Sequence, residues 1–243
     1  MRLTILPREV HVWQFSLALP EARVRQLQGW LSADEVERAK RYHFKRDRSR
    51  FIARRAFLRT ALGCYLDLAP AELSFGYGPF GKPVLAKNCG RDFLSFNLSD
   101  SADRALIAIT DGAAVGVDLE KIAPEFATEE ISRQYFSDAE VGALRALPVE
   151  QRTTGFFLCW TRKEAYIKAK GYGLAMPLAD FAVSLTPGEP AALLSTRTNP
   201  QEVNHWGMHS LDLGPDYAAA LCVAGRGQRV KFGNWPEGPG DYC

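Results

Sequence analysis

FFLCWTRKEAYIKAKG, residues 156–171, is the stretch with the clearest helical pattern in the chain. Its apolar side chains recur at helical spacing from Phe156 to Ile167, and Gly171 is placed to end the helix in a left-handed conformation. Glu164 lies at the edge of the apolar stripe, with Lys168 four residues later. This spacing suits an ordinary surface Glu–Lys pair, or a site in which the acid binds a metal or a reacting proton and the lysine binds a phosphate.

A second stretch, GVDLEKI at residues 116–122, predicts a strand that carries two acids. Successive side chains of a strand point to opposite faces, so Asp118 and Glu120 share one face. Two carboxylates side by side on an apolar strand repel each other and lose hydration, and a hard divalent cation such as Mg²⁺ compensates for both effects. The alternative is a pair of acids that face solvent on an edge strand, and the strand alone does not exclude it.

Strand and helix patterns divide the chain into two similar halves. Strands are predicted at residues 10–17, 73–77, 93–98, 104–110, 115–119, 181–185, 204–211 and 217–223, with a polar turn at 99–103. Helices are predicted at 20–30, from Ser32 to about Leu66 as one helix or a pair, at 129–136, from Ser137 onward and at 156–170. We therefore expect an α+β fold with subdomains at 1–111 and 112–225, the second carrying the acids, and a loosely packed Gly/Pro-rich tail at 226–243.

Composition limits the classes of protein to which the chain can belong. The 243 residues include 30 Lys and Arg against 28 Asp and Glu, which is an ordinary globular balance. No secretory leader and no bilayer-spanning run is evident, so we expect a cytoplasmic protein without a membrane partner. Ten basic residues against one acid lie between Arg38 and Arg59. Such an excess indicates an anionic partner, either nucleic acid or a phosphorylated ligand, or else a solvated helix face.

Four stretches together resemble the signature blocks of a known family. They are GKP at 81–83, FNLSDS at 96–101, GVDLEKI at 116–122 and WTRKEAYIKAKGYGL at 160–174, with FSDAE at 136–140 fitting the segment between the last two. The chain resembles 4′-phosphopantetheinyl transferases of the larger, surfactin-synthetase-activating type. The resemblance implies a monomer with two halves in a pseudo-two-fold arrangement, and coenzyme A in the cleft between them. It also implies Mg²⁺-dependent transfer of 4′-phosphopantetheine to a serine of an acyl or peptidyl carrier protein, with release of 3′,5′-ADP.

Site residues follow from the resemblance, position by position. The metal ligands are expected to be Asp118, Glu120 and Glu164, with Glu164 also the candidate general base; Lys168 is expected to contact the coenzyme A phosphates and to stabilise the departing 3′,5′-ADP. Gly81, Lys82 and Pro83 match the loop against the nucleotide, and Asn97, Ser99 and Asp100 match the segment beside the 3′-phosphoribose. Arg38 matches a basic residue that reaches the 3′-phosphate, with Arg50 and Arg55 as further phosphate contacts.

Two positions depart from the family pattern. Asp100 stands where the family usually has histidine, and an aspartate repels a phosphate unless neighbouring arginines compensate or the side chain turns away. Glu35 stands where some relatives carry lysine. A third acid, Glu140, has two interpretations, because it could assist the base or only cap the helix that begins after Ser137.

Two other functions remain open from the residues alone. The same acids could serve a different Mg²⁺-dependent phosphoryl or nucleotidyl transferase, although no P-loop, kinase-type glycine loop or dinucleotide-binding fingerprint is present. The basic stretch at 38–59 could belong to a nucleic-acid-binding module. Its aromatic residues recur at helical spacing, which favours core packing over base stacking, so we expect no nucleic-acid partner.

Overall fold

A computed structural model describes residues 2–78, 82–86 and 94–236, except for the side chain of Leu174. Its strands are β1 (Glu9–Ser16), β2 (Phe75–Tyr77), β3 (Pro83–Leu85), β4 (Leu94–Ser101), β5 (Arg104–Asp111), β6 (Val115–Lys121), β7 (Phe181–Val183), β8 (Leu193–Thr196), β9 (Trp206–Ser210), β10 (Tyr217–Ala224) and β11 (Arg229–Asn234). Its helices are α1 (Glu21–Gln28), α2 (Ala33–Lys40), α3 (Lys45–Leu66), α4 (Glu129–Tyr135), α5 (Asp138–Ala146), α6 (Val149–Lys170) and α7 (Glu202–His205). The predicted α+β fold is confirmed.

Two helices of 22 residues, α3 and α6, organise the fold. Both end at a residue in the left-handed conformation, Asp67 with φ 61° and Gly171 with φ 74°, so the predicted cap at Gly171 is confirmed. α6 begins at Val149 rather than Phe156, because its first two turns are polar and carry no apolar stripe that would reveal them in the sequence. Both predicted capping boxes, at Ser32 and Ser137, are present. None of the helices in the described residues is both long and apolar enough to cross a lipid bilayer.

Two sheets pack against each other in the middle of the molecule. One has the order β11-β1-β5-β4 and the other the order β6-β10-β9. Alternate residues of β1, β5, β6 and β10 meet in a shared apolar core that includes Val10, Val12, Leu106, Val117, Leu119 and Leu221. Since one face of β6 is buried in this core, its other face, which carries Asp118 and Glu120, is directed away from the sheet that contains β1 and β5.

The turn predicted at residues 99–103 is shorter than expected. β4 and β5 stay paired from Leu94 opposite Asp111 to Ser101 opposite Arg104, so only two residues connect them. Ala102 adopts a positive φ of 51° to make this tight connection. The prediction is wrong because polar residues such as Ser99 and Asp100 indicate a turn in isolation, whereas here they continue a strand.

The prediction of a loosely packed tail from residue 226 is wrong for its first half. β11 pairs in parallel with β1, from Arg229 opposite Glu9 to Asn234 opposite Gln14. Trp235 is buried and lies edge-on to Trp13. The Gly and Pro residues of the tail indicated a loop rather than a strand. β11 covers an edge of β1 that would otherwise expose unpaired backbone groups.

Candidate active site

Close packing of β6 on α6 brings the predicted acids together with the predicted lysine. Gly116 makes this packing possible, since a Cβ atom there would lie 2.1 Å from the carbonyl oxygen of Ala165 and 2.4 Å from the backbone nitrogen of Ala169. Only glycine allows the two backbones to approach so closely. Asp118 follows Gly116 on the same face of the strand, so its carboxylate reaches the side of α6 that carries Lys168.

Lys168 is turned towards Asp118. Its Nζ lies 2.6 Å from Asp118 Oδ1 and donates to Ser99 Oγ at 2.9 Å. The Ser99 hydroxyl in turn donates to the same Asp118 oxygen at 2.9 Å. Burial lowers the pKa of the Lys168 amine, but the Asp118 carboxylate outweighs burial and the net pKa is raised. Lys168 is therefore a charged member of an acid cluster, in place of the exposed surface pair that the sequence also allowed.

Negative charge is concentrated around this amine. Burial, and then the charge of Asp118, raises the pKa of Glu120 to about 7. The same two causes raise the pKa of Glu164. Within the described part of the chain, Asp118 Oδ2 is a buried oxygen without a hydrogen-bond partner. Among the described residues, Lys168 is the lysine that bonds to this group of three carboxylates, one of which has an unused oxygen. A divalent cation would neutralise the remaining negative charge.

The metal ligand set itself remains a prediction. Among the described residues, no group of three or more His, Cys, Asp or Glu side chains is arranged so that it could hold an ion. In this arrangement Lys168 and Ser99 occupy Oδ1 of Asp118. The donor chemistry nevertheless fits Mg²⁺, since all three candidate ligands offer carboxylate oxygens and their excess charge is uncompensated.

Side chains from β4 connect the first half of the chain to the acid strand of the second. Asn97 Oδ1 accepts from the backbone nitrogen of Val117 at 2.8 Å, Ser99 bonds to Asp118, and Ser101 Oγ donates to Glu120 Oε2 at 2.9 Å. Asn97 and Ser99 were predicted beside the 3′-phosphoribose, and their polar groups are engaged with β6. Ser101 was quoted in the FNLSDS block, but no role was predicted for it. Its contact joins residues from different halves, which no local pattern reveals.

The arginines predicted to contact phosphate have different surroundings. Arg38 is exposed, with its guanidinium 5.5 Å from the centre of the Phe51 ring. Arg50 forms an ion pair with Asp103 at 2.5 Å. Arg54, which was not predicted, pairs with Asp100 at 2.5 Å and also lies over Phe51. A neighbouring arginine therefore compensates the charge of Asp100, which is one of the two outcomes that the departure from histidine left open.

Arg55 is the predicted phosphate contact whose position the structure corrects. It is buried, bonds through Nε and Nη2 to Glu35, and lies over the ring of Phe75. Arg59 donates to the other oxygen of Glu35 at 2.7 Å. Glu35, the second departure from the family pattern, is thus an internal partner of two arginines. Arg55 is committed to this carboxylate, so we remove it from the proposed phosphate contacts.

The nucleotide loop predicted from GKP lies partly outside the described residues, because Gly81 is not among them. Pro83 begins β3. Lys82 donates to the backbone carbonyl oxygens of Val115 and Lys168, at 3.1 and 2.9 Å. Burial lowers the pKa of Lys82 to about 8. Its amine therefore joins the loop to the start of β6 and the end of α6. This contact stabilises the backbone at Lys168.

Glu140 caps a helix, as one of its two interpretations predicted. Its carboxylate accepts from the backbone nitrogens of Ser137 and Val183, both at 2.8 Å, and pairs with the fully buried Lys163 at 2.8 Å. Lys163 also donates to the carbonyl oxygens of Leu178 and Phe181. Every oxygen of Glu140 is committed to structure, so it is not available to assist a base.

An apolar cleft of about 370 Å³ opens beside Glu120 and Ser101. Phe126, Ile131, Phe156 and Trp160 are among the side chains that line it. Phe126 is 61% exposed at the mouth of this cleft. The acid cluster thus borders a surface that can accept an apolar group.

Comparison with known proteins gives the same family across both halves. Residues 114–222 match the model of the 4′-phosphopantetheinyl transferase superfamily, and residues 20–111 match that of the 4′-phosphopantetheinyl transferase N-terminal domain. The chain is 41% identical over 232 residues to 4′-phosphopantetheinyl transferase HetI of Nostoc sp., covering 95% of this chain and 94% of HetI. It is 34% identical to the putative 4′-phosphopantetheinyl transferase slr0495 of Synechocystis sp., covering 78% and 75%, and 27% identical to Sfp of Bacillus subtilis, covering 85% and 88%.

Proposed function

Because this chain belongs to the 4′-phosphopantetheinyl transferase superfamily, we propose that the cluster around Asp118 is its active site. The protein is a 4′-phosphopantetheinyl transferase, which moves 4′-phosphopantetheine from coenzyme A to a serine of an apo carrier protein. The observation that supports this location is the buried Oδ2 of Asp118, which lacks a partner in the described residues, beside two glutamates of raised pKa. Perturbed acids of this kind cluster at functional sites.

Asp118, Glu120 and Glu164 would hold one Mg²⁺ ion. When bound, the ion supplies charge neutralisation for the diphosphate of coenzyme A and polarises the phosphorus under attack. The amine of Lys168 offsets one unit of the charge on the three acids, and the excess supports a divalent partner. Ser99 and Lys168 keep one oxygen of Asp118 in place and leave the other free.

Glu164 is the proposed general base. Burial and Asp118 raise its pKa in the metal-free protein, and a bound Mg²⁺ would lower it. Glu164 would therefore accept the proton as the serine hydroxyl is itself polarised. The serine oxygen of the carrier forms a bond to the β-phosphorus of coenzyme A as its proton passes to Glu164. The bond from that phosphorus to the bridging oxygen breaks, and its electron pair leaves with 3′,5′-ADP.

Cationic side chains would bind the departing group. Lys168 lies beside the acids, and its pKa is raised. Its amine therefore remains charged while it stabilises the leaving phosphate. Arg38 is exposed near Arg54, since both guanidinium groups lie over Phe51. These arginines, with Arg50, form the basic rim that we propose for the remaining phosphates of coenzyme A.

The carrier protein would dock on the apolar cleft beside Glu120. Residues 121–136 form one wall of it and include the exposed side chains of Phe126 and Tyr135. This location lets the modified serine enter between the cleft and Glu164. Apolar contact rather than charge would guide the docking, because Glu125, Glu129 and Glu130 give this segment an acidic character.

The remaining predictions are carried forward as parts of the same proposal. The two family models meet between residues 111 and 114, which supports subdomains at 1–111 and 112–225 in a pseudo-two-fold arrangement with the site between them. We propose a cytoplasmic monomer without a nucleic-acid or membrane partner. Phe51 and Phe57 of the basic stretch are buried, which supports core packing instead of base stacking.

Transfer is tested by incubating the protein with coenzyme A, Mg²⁺ and an apo carrier protein and weighing the intact carrier. The expected result is a gain of one phosphopantetheine per carrier, which is lost when EDTA replaces Mg²⁺. A carrier that stays at its apo mass with several acyl and peptidyl carriers would contradict the function. A gain that persists in EDTA would contradict the proposed metal.

A further inference from the structure

Ser101 holds Glu120 from the other half of the molecule. It is the last residue of β4, and its hydroxyl donates to Glu120 Oε2 at 2.9 Å. Ser101 Oγ also accepts from the backbone nitrogen of Lys121 at 3.0 Å. One hydroxyl therefore fixes both the carboxylate of Glu120 and the backbone immediately after it.

The carboxylate of Glu120 is held by fewer hydrogen bonds than that of Asp118, so its orientation depends more on Ser101. Asp118 is held by two groups, the hydroxyl of Ser99 and the amine of Lys168. In the described part of the chain, the carboxylate of Glu120 has one hydrogen bond, from Ser101. A glutamate has one more rotatable bond than an aspartate, and it lies at the edge of an open apolar cleft. Without Ser101, its carboxylate would be free to rotate out of the cluster.

We infer that Ser101 is a positioning residue that orients the Glu120 carboxylate towards Asp118 and Glu164 and thereby sets the affinity of the site for Mg²⁺. The inference rests on the proposed function, because it assigns Ser101 a task at the proposed metal site. Partners that orient a metal ligand typically change metal affinity by about 10- to 100-fold when they are removed. Ser101 does not contact the reacting atoms, so its loss changes the Mg²⁺ requirement more than the rate at saturation.

Titration calorimetry of Mg²⁺ into the coenzyme A complex tests this role. In Ser101→Ala the dissociation constant for Mg²⁺ rises by about 10-fold or more, and in Ser101→Thr, which keeps the hydroxyl on a strand-compatible side chain, it stays within about threefold of the wild type. Ser16→Ala is the matched control. Ser16 also ends a strand of the same sheet, but its hydroxyl accepts from the backbone nitrogen of Ala18 and takes no part in the cluster.

Transfer rates measured against Mg²⁺ concentration supply a second reading. Ser101→Ala needs about 10-fold more Mg²⁺ for half-maximal rate, while kcat at saturating Mg²⁺ falls by less than about threefold. Equal Mg²⁺ dissociation constants for the wild type and Ser101→Ala overturn the inference while leaving the proposed function intact. A weakened Ser101→Thr overturns it also, because the hydroxyl would then not be the cause. A wild type that transfers without binding Mg²⁺ overturns the metal site, and the role of Ser101 with it.

Discussion

Each of the two long helices, α3 and α6, carries a buried cation that pairs with a glutamate, but only α6 also carries residues of the cluster around Asp118. In the first half, Glu35 pairs with Arg59, which lies eight residues before the left-handed Asp67 and donates to the carbonyl oxygens of Pro70 and Leu73. In the second half, Glu140 pairs with Lys163, eight residues before the left-handed Gly171, and the lysine donates to Leu178 and Phe181. Both glutamates complete capping boxes.

The two halves differ in the residues that lie next to this shared ion pair. Counted from the left-handed residue, Glu164 corresponds to Thr60 and Lys168 to Cys64. When the pair Ser16–Arg104 of the first half is matched with the pair Lys121–Tyr217 of the second, Asp118 and Glu120 of β6 fall at the positions of Trp13 and Phe15 of β1.

The first half uses these positions for packing. Phe15 stacks on Phe57, with ring centroids 3.3 Å apart, and Trp13 lies edge-on to Trp235 from the returning β11. The Glu–cation pair is therefore a property of the fold, whereas the acids are a property of one site. Stability and activity should therefore respond to different substitutions.

The largest expected effect is at Asp118. Asp118→Ala removes the central acid and lowers transfer by about 1000-fold or more, while circular dichroism shows an intact fold. Asp111→Ala, which removes an exposed acid at the end of β5, is the control and keeps normal turnover. Normal turnover in Asp118→Ala would remove this residue from the site and end the distinction between the halves.

Lys168 provides the next test, because only the second half has a lysine at this position. Lys168→Ala lowers kcat by about 100-fold, since it removes the charge that stabilises the leaving group. Lys170→Ala, on the same helix but paired with Glu202, changes kcat little. An unaffected rate in Lys168→Ala would return this residue to a structural role.

Substitutions in the shared ion pair should act on stability in both halves. Glu35→Gln and Glu140→Gln each leave a buried cation without its partner and lower the free energy of unfolding in urea by about 3 kcal/mol. The rate per folded molecule changes far less. A loss of stability in only one variant would show that the two arrangements are not equivalent.

The pH dependence of the Glu35 effect has a definite sign. Burial raises the pKa of Glu35, but Arg59 and Arg55 outweigh it and hold the net pKa below the ordinary value of 4.5. The folded protein thus binds fewer protons than the unfolded chain, so this stabilisation is present above about pH 4.5 and is lost as the pH falls. The difference between the wild type and Glu35→Gln should shrink on acidification, and a constant difference from pH 7 to pH 3 would contradict the ion pair.

The smallest expected effect concerns Asp100. Asp100→His removes a negative charge next to Arg54 and frees that arginine for a phosphate, so the Kd for coenzyme A falls by about 3- to 10-fold. Asp103→Asn, which acts on the neighbouring pair with Arg50, is the comparison variant. An unchanged Kd in Asp100→His would mean that Arg54 does not meet the ligand.

The sequence predicted those features that a local pattern carries. The acid strand, the helix with Glu164 and Lys168, its left-handed cap at Gly171 and the two capping boxes each depend on neighbours in the chain. Contacts between distant residues could not be found this way. Ser101 reaches Glu120 only because β4 continues through residues that resemble a turn, and Arg55 is withdrawn from the surface by Glu35, twenty residues earlier. β11 forms by pairing with the edge of β1, which lies near the opposite end of the chain.

Anomalous diffraction from a crystal of the protein with coenzyme A and Mn²⁺, which replaces Mg²⁺ and scatters anomalously, would locate the metal site directly. We predict one anomalous peak within about 2.3 Å of carboxylate oxygens from Asp118, Glu120 and Glu164. No peak is expected beside Trp13, Phe15 and Thr60 in the first half. A manganese site that lacks Asp118 as a ligand, or that lies outside the second half, would contradict the claim that these acids form the catalytic metal site.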